Sequence, residues 1–220
     1  MVEIYDDHEQ SERVRQWVKE NGAAIVMGIV LAIGGLYGWK FWQNQTKDAQ
    51  MQVAAEFQGL ATALDLSRFD QAYGHFETIK TDYPNSTYNP MAHLMIARAR
   101  LNQGQVDLAE SLYRELLKSN DESSQFIKFI AAERLARLLL SEGKTDKAKE
   151  LLDTYSGNEP FAARFAEVRG DLLAASGDAD GARAAYQKAL DSMEAGTGDR
   201  RLLELKRDNP IAIDRNTEES

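Results

Sequence analysis

The sequence predicts an all-α protein: one membrane-spanning helix near the N-terminus, then a water-soluble helical solenoid of about four repeats. Three observations carry this. Ala, Leu, Glu, Gln, Lys and Arg dominate, while alternating β-branched runs are nearly absent. The stretch Gly22–Trp39, GAAIVMGIVLAIGGLYGW, carries no charge. Glycines 104, 143 and 177 recur 39 and 34 residues apart (143 − 104; 177 − 143), each inside a similar pattern.

Residues 1–21 form an N-terminal tail with six acidic and three basic side chains. Its first ten residues read as disordered. Ser11 is placed to cap a helix that carries Val14, Trp17 and Val18 on one face. That helix is expected to run into a transmembrane helix over 22–42. A bilayer core of roughly 30 Å needs about twenty helical residues, which the span supplies if Lys40 snorkels to the interface. Tyr37, Trp39, Phe41 and Trp42 crowd its far end, as aromatic side chains do at a membrane boundary. The long acidic tail before the run, and the lack of an A-x-A site after it, favour an anchor over a cleaved signal peptide. Arg13, Arg15 and Lys19 precede the span, and Lys40 and Lys47 follow it. This small excess has the sense of a cytoplasmic N-terminus. Gly34 and Gly38 make a G-x-x-x-G pair, and Ala24, Gly28 and Ala32 a second small-residue stripe. Such stripes let membrane helices approach closely, here against a partner helix or a second copy in a homodimer.

Residues 43–207 form the repeat domain. In each unit an alanine follows the glycine by five residues (Ala109, Ala148, Ala182), and Tyr113, Leu152 or Tyr186 follows by four more. A fainter first unit has Ala72, Phe76 and Ile79, with Ser67 where the glycine would stand. The glycine ends one helix in a left-handed conformation. Asp107, Thr145 and Asp178 are placed to cap the next, and the alanine is small because the two helices cross there. This is the tetratricopeptide pattern of paired helices, which stack because one pair cannot bury its own apolar face. Longer loops are expected around 83–90 and 119–124, and Pro84, Pro90 and Pro160 mark unit boundaries. A last helix over 199–207 would cover the final unit with Leu202, Leu203 and Leu205. Residues 208–220 read as a disordered acidic tail.

Composition excludes several functions. The net charge of −9 and pI near 4.9 argue against nucleic acid as a partner. The absence of cysteine removes disulfides, thiolate catalysis and Cys-type zinc sites. His8, His75 and His93 are scattered without ligand spacing, so no metal site is expected, and His93 reads as a satisfied structural histidine. No phosphate loop, dinucleotide fingerprint or nucleophile elbow occurs, so no cofactor and no catalytic residue is expected.

Solenoids bind through the surface lined by the first helix of each pair. With the glycine as position fifteen, Arg98 and Arg137 both fall at position nine (98 − 89; 137 − 128), and Asp171 is their equivalent in the next unit. Leu94, Glu133 and Glu167 fall at position five. Arg98, Arg137, Glu133, Asp171 and Leu94 are therefore the candidate binding residues, with Leu101 and Leu140 between. Ordinary surface charge with local ion pairs is the competing reading for each.

The whole layout resembles the YfgM-like family, ancillary subunits of the bacterial SecYEG translocon. The resemblance rests on Glu3-Ile4-Tyr5, Trp17 with Glu20-Asn21-Gly22, the glycine-bearing span and Gly38-Trp39 with Trp42. A second block is Arg169-Gly170-Asp171 with Gly177-Asp178 and Gly181-Ala182-Arg183. It implies a cytoplasmic N-tail, one inner-membrane helix and a periplasmic repeat domain. It also implies association with the translocon, with a membrane-anchored periplasmic chaperone of the prolyl-isomerase class, and with emerging client proteins. A repeat scaffold for another envelope assembly, such as cytochrome maturation, pilus or division machinery, is the alternative.

Overall fold

The computed structural model describes residues 6–118, 125–155, 161–193 and 199–210. It divides into two compact units, 1–52 and 53–220. Among the described residues every regular element is an α-helix. The expected loop at 119–124, Pro160 and the tail from 211 onward lie outside them.

Helix α1 runs Asp6–Asp65 and is far longer than the span expected at 22–42. It begins at Asp6, so Ser11 lies inside it rather than at its cap. Within it, Arg13–Ala24 and Val26–Lys40 meet at 45°. The bend divides the uncharged run. Val26–Lys40 alone covers only about 22 Å at 1.5 Å per residue, short of a bilayer core of roughly 30 Å. No single straight helix among the described residues is long and apolar enough to cross a membrane, although the bent pair together is, by length and composition. Val26, Met27, Ile29, Val30, Leu31, Ile33 and Leu36 are all exposed. A Cβ added at Gly28, Gly34 or Gly38 would meet nothing within 4 Å.

The second unit stacks helix pairs. The first pair is the end of α1, from Val53, with α2 (Phe69–Asp82). The others are α3 (Tyr88–Asn102) with α4 (Val106–Lys118), α5 (Gln125–Ser141) with α6 (Thr145–Tyr155), and α7 (Ala162–Ala175) with α8 (Ala179–Asp191). Helix α9 (Arg200–Asp208) follows.

One turn joins every pair. Gly104, Gly143 and Gly177 sit at φ 72°, 71° and 81°. Ser67 adopts φ 55°, so the serine does take the left-handed role. The same two backbone bonds recur around each. At Gly143 its N–H reaches Leu140 O (3.0 Å) and the Lys144 N–H reaches Leu139 O (2.8 Å). At Ser67 the equivalents reach Leu64 O (2.9 Å) and Ala63 O (2.7 Å). This paired closure satisfies carbonyls that the helix end would leave open.

Small residues lie where the helices cross. Ala72, Ala109, Ala148 and Ala182 are fully buried, and Tyr113, Leu152 and Tyr186 beside them are nearly so. At Gly170 a Cβ would strike the Tyr186 ring. Apolar packing runs through the unit in three clusters. One joins Leu60, Phe76 and Ile96, one joins Leu135, Leu139 and Val168, and one joins Ala182, Tyr186 and Leu203.

Four local expectations are corrected. Asp178 caps α8, accepting from the Gly181 N–H at 2.9 Å, but Asp107 and Thr145 fall inside the first turns of α4 and α6. Pro90 lies in the first turn of α3, where a missing N–H costs little. On α9 only Leu203 is buried, whereas Leu202 and Leu205 are exposed. Order also extends past Arg207, since α9 ends at Asp208 and Pro210 is buried.

The turn makes a stability prediction. Ser67→Gly should stabilise the protein by about 0.5–1 kcal/mol and Gly143→Ala should destabilise it by about 1–2 kcal/mol, because a side chain at positive φ is strained. Chemical denaturation midpoints give both values, and equal shifts of one sign would reject the shared turn. Gly170→Ala should cost about 1–3 kcal/mol by overpacking against Tyr186.

Candidate functional site

Three arginines from neighbouring units converge on a groove of roughly 520 Å³ over α3, α4 and α5. Arg98 comes from α3, and Arg134 and Arg137 from α5. Leu101, Tyr113 and Leu138 form the apolar lining, and Ser141 stands at its edge. The spacing of one repeat brings Arg98 and Arg137 to the same groove, because position nine of each first helix faces the same way. Arg134 is not visible to that argument. It lies three residues before Arg137 and lines the groove beside Tyr113; burial raises the Tyr113 pKa, and the nearby Arg134 charge offsets part of that rise.

The two arginines singled out by spacing differ in their surroundings. Arg98 is exposed and makes no ion pair among the described residues. Arg137 is the centre of an ion cluster. Its Nε donates to Glu133, its Nη2 lies 3.2 Å from Glu167 and its Nη1 lies 3.1 Å from Asp171. Lys206 on α9 joins from the other side, 2.8 Å from both Glu167 and Asp171. The Tyr186 hydroxyl donates to Asp171 at 2.9 Å. The cluster thus ties α5, α7, α8 and α9 together, with Asp171 and Glu133 as parts of it. Glu133 is 6% exposed and Leu94 8%, the latter within the apolar core.

Charge within the cluster is mutually reinforcing. Burial opposes the Arg137 charge, but the hydrogen bond it donates to Glu133 and the nearby carboxylates outweigh it and raise its pKa. Burial likewise opposes ionisation of Glu167, yet the bond from Lys206 and the charges of Arg137 and Lys206 hold it below the usual carboxylate range. Burial, then Asp171, pushes the Tyr186 hydroxyl upward, so it stays a neutral donor.

The histidines have structural surroundings. His93 is 3% exposed, donates from Nδ1 to the Asn89 carbonyl at 2.9 Å and stands edge-on to Phe76. His75 pairs with Glu56 at 2.7 Å and covers Gly59. Among the described residues no His, Cys, Asp and Glu group could hold a metal ion.

The arrangement is that of stacked helix pairs, and the comparisons with known proteins agree. The tetratricopeptide repeat-like domain family matches residues 15–210. The chain belongs to this family. Among its relatives, an ancillary SecYEG translocon subunit of Escherichia coli (strain K12) is 30% identical over 192 residues, covering 87% of this chain and 91% of that protein. Proteins of the same name from Haemophilus influenzae and Neisseria gonorrhoeae are 28% and 26% identical over 194 and 210 residues. The former comparison covers 87% of this chain and 92% of the relative, the latter 95% and 99%. The similarity takes in both units, so it includes the uncharged run as well as the repeats.

The ion cluster predicts an acid-labile fold. The folded-state pKa of Glu167 is depressed, so the unfolded chain binds the extra proton, and stability rises with pH. The contribution is present above the ordinary value of 4.5 and is lost as pH falls through the folded value. Denaturation midpoints measured across the acid range should fall for the native sequence and fall less steeply for Glu167→Gln; matching slopes would remove Glu167 from the account. Arg137→Met should lower the thermal midpoint clearly, because it strands buried Glu133, whereas Arg98→Met should leave it nearly unchanged.

Proposed function

We propose that this protein is a single-pass inner-membrane subunit that works beside the SecYEG translocon. In this reading residues 1–21 lie in the cytoplasm, 22–42 cross the membrane, and the repeat domain from 43 stands in the periplasm. The observation that carries it is the pairing of an uncharged run, Gly22–Trp39, with the repeats in a chain whose relatives bear the name of ancillary translocon subunits. The bend at residue 25 is compatible with a span, since a helix crossing at a tilt or with a kink still presents apolar side chains to lipid.

The two surfaces have separate tasks. The small-residue faces at Gly28, Gly34 and Gly38 contact a membrane helix, of the translocon or of a second copy, because lipid tails give helices no hydrophobic reason to associate. The groove at Arg98 and Arg137 contacts soluble protein, either an emerging client or a membrane-anchored chaperone of the prolyl-isomerase class. The protein thereby assists handover of secreted chains from translocon to chaperone.

Topology and association are testable in cells. Protease added to spheroplasts should digest the repeat domain and spare the N-terminal tail; protection until lysis would reverse the orientation. Affinity capture from detergent extracts should bring down translocon subunits with the native chain. Gly34→Leu combined with Gly38→Leu should lose most of that yield while the repeat domain unfolds at an unchanged temperature. Capture of a different envelope assembly, without translocon subunits, would overturn the reading.

A further inference from the structure

The turn that joins α1 to α2 opens onto a polar cavity of roughly 710 Å³. Arg68, Asp70 and Tyr73 line it from the first helix pair, and Arg100, Gln103 and Gln105 from the second. Arg100 follows Arg98 by two residues, about 200° round α3, so this cavity and the arginine groove lie on different sides of that helix.

Donors in the cavity lining lack acceptors. The Arg100 guanidinium stacks on the Tyr73 ring, 3.6 Å from its centroid, and donates from Nη1 to Gln105. Its Nε and Nη2 meet no acceptor among the described residues. No described carboxylate lies within 4.0 Å of Arg100 or Arg68. The Tyr73 hydroxyl donates to Gln103 Oε1 at 3.1 Å, which orients the amide. Gln103 Nε2 is buried and has no hydrogen-bond partner among the described residues. An unpaired buried donor is costly, so its persistence calls for an acceptor that the chain itself does not supply.

We propose that this cavity binds a single carboxylate, held in the fork of Arg100, with Arg68 and the Gln103 amide as further donors. Stacking on Tyr73 holds the planar fork ready, and that fork matches the two oxygens of a carboxylate. Arg68 and Arg100 set against Asp70 leave one positive charge in the lining (2 − 1), which one carboxylate balances and a dianion exceeds. Turning of the Gln103 side chain toward the cavity gives Nε2 the acceptor it lacks. A cavity of this size takes one side chain or a small acid rather than a folded surface. The carboxylate has two possible sources, an Asp or Glu side chain of a partner protein and a free small acid.

The test is a heteronuclear NMR titration of full-length protein in neutral detergent, following the Gln103 side-chain amide and the Arg100 Nε–H. The probes are N-acetyl-aspartate amide, whose carboxylate stands on a peptide-like frame, and lactate, a free acid. N-acetyl-asparagine amide is the uncharged control. Both signals should shift saturably with at least one acid. That acid should bind about tenfold tighter than the control, the effect of one charge-assisted hydrogen bond. Tighter binding of the aspartate compound assigns the site to a partner protein, and tighter binding of lactate assigns it to a small acid. Arg100→Gln should erase the preference for acid, whereas Arg98→Gln, on the other side of α3, should leave it unchanged. Each variant is first matched to the native thermal midpoint. Equal binding of acid and control, no saturable shift at either signal, or an acid preference that survives Arg100→Gln or is lost in Arg98→Gln would overturn the inference. None of these outcomes bears on topology or on translocon capture.

Discussion

Each helix pair depends on one residue held at positive φ. The left-handed turn reverses the chain in two residues, so the second helix starts at a set angle to the first and a small residue must lie at the crossing. Ala72, Ala109, Ala148 and Ala182 occupy that place with no exposed surface. The turn cannot stabilise a pair by itself, because two short helices expose most of their apolar face. Stability comes from the next pair covering it, which is why the apolar clusters run across unit boundaries rather than within units.

Stacking of like helix pairs places equivalent positions on one face, and the charges are distributed along that face unevenly. At one end of the stack Arg137, Glu133, Glu167, Asp171 and Lys206 neutralise one another across α5, α7 and α9. The cluster joins the last full pair to the helix that covers it. In the middle of the stack Arg98 and Arg134 have no such complement among the described residues. The same ladder of positions therefore serves cohesion in one place and leaves cations open to solvent in another. What separates Arg137 from Arg98 is the residue at position five: Glu133 in the unit of Arg137, and Leu94, buried in the core, in the unit of Arg98.

Much of the repeat was legible residue by residue because its signals are local. A positive-φ turn needs glycine or a tolerant substitute within a short window, so the glycine spacing marked the turns, and even Ser67 was found from the register of Ala72. Element ends were less legible. Asp107 and Thr145 look like caps by type, but hydrogen bonding starts each helix a residue or two earlier, and only Asp178 has the cap geometry. The pattern of leucines on α9 suggested three covering residues. Only Leu203 reaches the Tyr186 cluster, since Leu202 and Leu205, one and two residues away, point about 100° and 200° round the helix.

The sequence by itself determined the helical class, the turns, the small residues at crossings and the uncharged run in α1, because each follows from the conformational limits or hydropathy of adjacent residues. It also placed Arg98 and Arg137 on one face by counting. Tertiary structure decided what those arginines do. Lys206 follows Arg137 by 69 residues (206 − 137), and only stacking brings both to the same carboxylates. Arg134 meets Tyr113 of a different helix in the lining of one groove. Electrostatic partnership depends on distances of a few ångströms between chain segments far apart in sequence, and no local pattern encodes those distances.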